Sequence, residues 1–268
     1  MSENQHTRGP WPAGHRAALL LVIHVPGTAD AAIAEGGYAP LTGADYTATG
    51  LQRLVSSLTD LDVAATTIWT ANGLATSLQL VRVAADNGHE IAISVIGEEA
   101  DRLQELRDTA GKLAEATIFG VAELLEPRED SRPASPQDSE GHAESFSWSI
   151  SRSGGDLPVI SGTSADSGRH VSFPTSPYWN DATWLNPASP QPPSSFLETL
   201  SLGLQSVRTI EGLMTVIIHP HISGRPGFAE TVVRFVDEAI GSGDVWIPRA
   251  SELADWWRKR QTDPSEAE

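Results

Sequence analysis

Apolar residues fall into two kinds of pattern along this chain: short unbroken runs, and runs spaced three or four residues apart. Arg16 to Val25, RAALLLVIHV, is nearly continuous and stops at Pro26-Gly27, which predicts a strand buried on both faces. In YTATGLQRLVSSLTDLDV, Leu51, Leu54, Val55 and Leu58 recur at helical spacing and predict an amphipathic helix. VAATTIWTANG reads as a second strand, and LATSLQLVRVAADNG as one helix stopped at Asn87-Gly88. EIAISVI is a third buried strand, followed by the helical EEADRLQELRDTAGKLAEA and a strand in TIFGVAELL. Alternating strands and helices predict right-handed parallel βαβ units.

Beyond Glu126 the pattern changes. The segment 127–143 is polar and proline-bearing without periodicity, and is expected to be a mobile acidic loop. SFSWSI, RHVSFPTS and the Trp-rich PYWNDATWLN suggest short strands and ordered loops. FLETLSLGLQSVRTI is helical, LMTVIIHPHI a buried strand and GFAETVVRFVDEAIGSG a capped helix. VWIPRASELADWWRKR supplies a short strand and a terminal helix. The expected organisation is a flexible segment over 1–10, one barrel domain over 11–260 and a disordered tail over 261–268. The expected fold is a single α/β barrel-like domain, whose chemistry sits at the carboxyl ends of its strands. That rule selects His24, Trp69, Ser94, Glu98, His219 and His221.

Composition narrows the function without naming it. With 268 residues, roughly three quarters of the unfolded surface can be buried, so no covalent staple is required. Cysteine is absent, which removes disulfides, thiolate metal sites and a cysteine nucleophile. A formal charge of -17, from 35 acidic against 18 basic residues, argues against a nucleic-acid partner. AALLLVI is too short to span a bilayer and lacks a following cleavage pattern, so no membrane association and a cytoplasmic location are expected.

HPHISGRPGF followed by VWIPRASELADWW resembles the closing third of the polysaccharide deacetylase family, in its allantoinase-like and peptidoglycan-deacetylase-like branch. WPAGHRAALLLVIHV resembles the family's lead into its first strand, and LVRVAADNGHEIA its helix, turn and Gly-His-Glu-Ile strand. HVSFPTSPYWNDATWL resembles a late strand and loop that carry an aspartate, here Asp181. The resemblance implies a distorted (β/α) barrel of that type, and hydrolysis of N-acetyl amides or related non-peptide C–N bonds. It also implies paired aspartates on the first strand, one a base and one a metal ligand, and two metal-binding histidines after Gly-His-Glu. A late histidine acts as general acid.

The site positions are altered here. The aspartate places hold His24 and Pro26, and the metal histidine places hold Ser94 and Glu98. Expected arginines fall on Ala122 and about Ala48, while the late histidine matches His219 and Gly224-Arg225-Pro226 is intact. Proline offers no ligand or titratable atom, and serine is a weak zinc ligand beside imidazole or carboxylate. No metal or other cofactor is therefore expected. His219 is the candidate general acid. His24, Ser94, Glu98, Trp69, Trp179, Asp181, His221 and Arg225 are candidate pocket residues, whereas His89 reads as a helix-capping residue.

Two readings of the histidines stay open: remnants bonded to loops, or a new cluster of His24, His219, His221 and Glu98. The leading expectation is a family protein with a degenerate, metal-free and catalytically impaired centre. One alternative is an active metal-independent C–N hydrolase using His219. Another is a ligand-binding or interaction module paired with an active paralogue. A small carbohydrate or amide ligand and a homo- or hetero-oligomer are compatible with all three.

Overall fold

The computed structural model describes residues 9–27, 46–94, 103–115, 120–122, 146–151, 155–164, 168–184 and 191–262. The first half of the chain contributes β1 (Ala17–Val25), α1 (Tyr46–Asp60), β2 (Thr66–Trp69), α2 (Ala71–Thr76), α3 (Leu78–Asp86), β3 (Glu90–Ser94), α4 (Leu103–Ala114) and β4 (Gly120–Ala122). The second half contributes β5 (Trp148–Ser151), β6 (Val159–Ser164), β7 (Gly168–Pro174), α5 (Asp181–Trp184), α6 (Pro193–Ile210), β8 (Leu213–Ile218), α7 (Pro220–Ser223), α8 (Phe228–Gly241), β9 (Val245–Trp246) and α9 (Ala250–Thr262). Glu98, the acidic segment 127–143 and the last six residues of the expected tail lie outside the described residues. At the near end of that tail, α9 continues to Thr262.

One curved sheet organises the chain, in the order β6-β7-β5-β4-β3-β2-β1-β8, with β9 added to β1. Every pairing is parallel except β6 with β7. Alternate residues of each strand divide between two cores, as the pleat requires. Ala18, Leu20 and Val22 face the interior with Ile68, Ala92, Trp148, Ile150, Val171, Phe173, Leu213 and Ile217. Leu19, Leu21, Ile23 and Val25 face outward, against Leu51, Leu54, Val55 and Leu58 of α1 and the other surrounding helices. Burial on both faces is what made the first strand read as an unbroken apolar run.

The ends of the sheet order are not joined by a ladder. Leu213 N–H donates to Asp156 O at 2.7 Å, and Asn180 forms an isolated parallel bridge with Ile217. These two links draw the segments before β6 and after β7 against β8 and complete a half-barrel. The amino-terminal mouth is plugged by Ala250, Leu253, Ala254 and Trp257 of α9 together with Trp11, whose ring centroid lies 5.6 Å from that of Trp257. Glu90 anchors the plug: its Oε2 accepts from Ser251 N at 3.0 Å and from Thr66 Oγ1 at 3.1 Å. Burial raises the Glu90 pKa, and these donors oppose the rise.

Three local differences from the sequence expectations have physical causes. The helix expected over 74–88 is two helices, because Ser77 takes φ -135° and ψ 37° and breaks the hydrogen-bond ladder. Thr70 starts the first of them, its Oγ1 accepting from Gly73 N at 2.9 Å and also from Gly27 N at 3.1 Å. The strand β6 was not expected; it is a short polar edge strand with one partner, so it carries little apolar signal. His89 does not cap a helix with its ring. Its backbone N–H bonds Ala84 O at 3.1 Å, and its Nδ1 accepts from Ala65 N at 2.9 Å.

No described helix is long and apolar enough to cross a membrane. Helices α1 and α7 meet backbone to backbone. A Cβ on Gly50 would lie 2.0 Å from Pro220 O, and one on Gly224 would lie 2.4 Å from Gly50 Cα. Gly50→Ala is therefore expected to destabilise the fold by about 2–4 kcal/mol, since backbone must move. Gly241→Ala meets nothing within 4 Å and should leave stability unchanged or slightly raised. Urea denaturation of both variants checks the contrast.

Candidate functional site

The interior face at the carboxyl ends of the strands carries His24 on β1, Ser94 on β3 and His219 just past β8. Their parity follows from the interior residues Val22, Ala92 and Ile217 two positions earlier. β1 and β8 are hydrogen-bonded neighbours, in register from Ala18↔Leu213 to Ile23↔Ile218, so His24 and His219 end adjacent strands. The Asn180–Ile217 bridge brings the following residue, Asp181, alongside the same strand end.

Asp181 is fully buried, with 0% exposure, and both carboxylate oxygens are engaged. Its Oδ1 lies 2.6 Å from His219 Nδ1, while Oδ2 accepts from His219 N at 2.7 Å and from Ser223 Oγ at 2.6 Å. Removing one donor would leave part of the buried carboxylate's hydrogen-bond demand unmet, a loss on the order of 1–3 kcal/mol. An accepting carboxylate assigns the His219 Nδ1 proton, because a carboxylate has none to donate. The other His219 nitrogen, Nε2, lies 3.0 Å from His24 Nδ1, with the rings near perpendicular at 86°. Asp181, His219 and His24 thus form one hydrogen-bonded chain.

His24 Nε2 is buried and has no hydrogen-bond partner among the described residues. Ser94 Oγ, on the same interior face, is in the same state, as is Thr215 Oγ1 deeper on β8. An unsatisfied buried polar atom costs on the order of 1–3 kcal/mol, so such atoms point to an absent ligand or water. Burial, then the neighbouring His219 and His221, hold the His24 pKa well below the ordinary histidine value, so this ring is neutral at pH 7.

The remaining expected residues distribute around this chain. His221 is not on a strand; it sits on α7, 2% exposed, with its ring 5.7 Å from that of His219. Burial and His219 lower its pKa to about 4 against the opposing pull of Asp181. Arg225 donates from Nε to His221 O at 2.8 Å and stacks its guanidinium 4.7 Å from the Tyr46 ring centroid, tying α7 to α1. Trp69 occupies the outward face of β2 in the helix-side core, its Nε1 donating to Thr67 Oγ1 at 2.9 Å. Trp179 packs towards α6, its Nε1 2.7 Å from where a Cβ on Gly203 would stand. Ala48 is exposed on α1, and Pro26 is buried just past β1.

Sequence reasoning missed Ser223, four residues after His219, and the Gly50–Gly224 contact beneath α7. The His219–Ser223 spacing is a helical one, the only signal that the hydroxyl could reach the same carboxylate. Among the described residues, no three or more His, Cys, Asp or Glu side chains are grouped to hold a metal ion.

The buried rings also make stability depend on pH. Burial lowers the pKa of His24, His89, His170 and His221, so the folded chain binds fewer protons than the unfolded chain once pH drops to about 6.5. Stability therefore falls with pH through that point. For His221 the loss continues to about pH 4 and reaches about 3 kcal/mol. Urea midpoints should be flat between about pH 8 and 7 and decline below about 6.5. His221→Asn should flatten the decline; an unchanged slope would contradict a neutral His221.

No protein-family model and no curated protein matches the chain. Solved structures do. A protein from Mycobacterium smegmatis described as a polysaccharide deacetylase superposes with a TM-score of 0.78 at 22% identity, over 94% of this chain and 93% of its own. A Pseudomonas aeruginosa PAO1 protein described in the same way gives 0.79 at 17% identity, over 95% of each chain. The PuuE allantoinase gives 0.77 at 18% identity, over 96% of this chain and 94% of its own. At these identities the likeness speaks for the fold, and it agrees with the resemblance read from the motifs: this chain has the polysaccharide deacetylase fold.

Proposed function

We propose that this is a deacetylase-fold protein that works without a divalent metal. Its remaining chemistry is acid–base catalysis at a non-peptide C–N bond of a small amide or N-acetylated ligand. The observation that carries this reading is the buried Asp181–His219 pair, continued to His24 at 3.0 Å. A buried carboxylate on Nδ1 stabilises the imidazolium that forms when His219 takes a proton, and holds the ring in one orientation. Amide hydrolysis needs such a group, because the nitrogen leaves only after it is protonated.

The donor set does not fit a resident metal. Both Asp181 oxygens and both His219 nitrogens already have protein partners. Pro26 has no donor atom, and Ser94 brings one neutral hydroxyl. Within that chain of described residues, a divalent ion could reach only His24 Nε2 without breaking a hydrogen bond.

A second reading, ligand binding with impaired turnover, is favoured by the loss of both first-strand carboxylates. With His24 and Pro26 at those places, the end of β1 brings no carboxylate to act beside the Asp181–His219 unit.

The purified protein should be assayed against N-acetylglucosamine and hydantoin, with and without chelator. Turnover that survives chelation and falls at least 100-fold in His219→Ala is the expected outcome. Turnover abolished by chelator and restored by added zinc would overturn the metal-free reading. Ligand binding by calorimetry without turnover would establish the second reading in its place.

A further inference from the structure

His219 has two ring nitrogens, and neither is available to a substrate. Nδ1 is 2.6 Å from Asp181 Oδ1, and Nε2 is 3.0 Å from His24 Nδ1. The carboxylate fixes the proton on His219 Nδ1. With the buried His24 ring kept uncharged, two proton arrangements then satisfy the chain. In the first, His219 is neutral, its Nε2 accepts from His24 Nδ1–H, and His24 Nε2 is a bare lone pair. In the second, His219 is an imidazolium whose Nε2–H donates to His24 Nδ1, and His24 Nε2 carries the proton. Of the four ring nitrogens, His24 Nε2 alone lacks a partner among the described residues.

We propose that His24 is the catalytic residue that exchanges a proton with water and substrate through Nε2, and that His219 is a positioning residue that stores this proton against Asp181. The proposal rests on the hydrolase reading above and deepens it by moving the point of contact from β8 to β1.

The step balances without a co-reactant. Water gives a proton to His24 Nε2 as its oxygen bonds the carbonyl carbon, while the His24 Nδ1 proton passes to His219 Nε2. The C–N bond then breaks as the same path runs backwards, and His24 Nε2–H protonates the leaving nitrogen. The products are a carboxylic acid and an amine, and the histidine pair returns to its first arrangement. Two further observations agree with this. His24 faces the barrel interior on the strand next to His219, and Ser94 Oγ, also buried and unpartnered, faces the same interior as a second polar contact for a ligand. Among the described residues, the titratable groups that act on His24 are His219 and His221, with Asp181 behind His219. Burial and these rings keep the His24 ring itself neutral, so it passes a proton through rather than holding one.

Two measurements test the relay, and one needs no substrate. Nitrogen-15 NMR of histidine-labelled wild-type protein at pH 7 should show both His24 and His219 protonated at Nδ1 and bare at Nε2. A resting His24 protonated at Nε2 and bare at Nδ1 would overturn it.

In the turnover assay with N-acetylglucosamine or hydantoin, His24→Ala should lower kcat at least 100-fold and regain activity when free imidazole is added. His219→Asn should lower kcat with little change in KM and shift the pH profile, because the proton store is gone. Activity retained within threefold in His24→Ala, alongside loss in His219→Ala, would make His219 the contact and overturn the proposal. If the wild type turns over neither compound, the hydrolase reading has failed for them, and the tautomers alone then decide the relay.

Discussion

A single buried carboxylate holds the site end of this molecule together. Asp181 accepts a ring N–H and a backbone N–H from His219 and a hydroxyl from Ser223, so one side chain ties the end of β8 to both ends of α7. Such a group is stable in a protein interior only when its hydrogen-bond demand is met, and here three donors meet it. The constraint propagates outward. With α7 held, Gly224 and Pro220 press against Gly50 of α1 at a distance that admits no side chain. Arg53 donates to Gly224 O and to Tyr46 Oη, while Arg225 covers the Tyr46 ring, so α1 is locked to α7 and through it to the end of β8.

The opposite mouth of the barrel is built on another buried carboxylate and has a different purpose. Glu90 receives the first turn of α9 and the Thr66 hydroxyl, and α9 seals the interior with Leu253 and Trp257. A carboxylate at a helix amino terminus also meets the helix dipole favourably. The stretch from Gly88 to Ser94 therefore runs from one end of the barrel towards the other: His89 and Glu90 are structural at the plugged mouth, while Ser94 stands at the opposite strand end. The turn is required for packing, whatever chemistry follows.

Much of the architecture was legible because the signals for it are local. Continuous apolar runs marked β1, β3 and β8, and helical spacing of Leu51, Leu54, Val55 and Leu58 marked α1. The pairing of His24 with His219 was foreshadowed by their positions at the ends of the first and last long strands. Other features had no local signal. The face occupied by Trp69 is invisible in a strand buried on both sides, since such a strand shows no alternation. His221 reads as a strand residue until α7 starts at Pro220, which bends the chain away from the sheet. Glu98 lies outside the described residues, so its part in the strand-end cluster rests on sequence.

The sequence by itself determined the fold type and the chemical inventory: which residues form strands, which face of α1 is apolar, and that His24, Ser94 and His219 stand at strand ends. These follow from the period of the hydrophobic pattern and from residue identity, both properties of the chain alone. Tertiary structure decided the proton connectivity. Whether two histidines are remnants or partners depends on the β1–β8 register and on the Asn180–Ile217 bridge that delivers Asp181. Those are contacts between residues far apart in the chain. A hydrogen bond depends on position to within a few tenths of an ångström, and no spacing rule in one dimension carries that information.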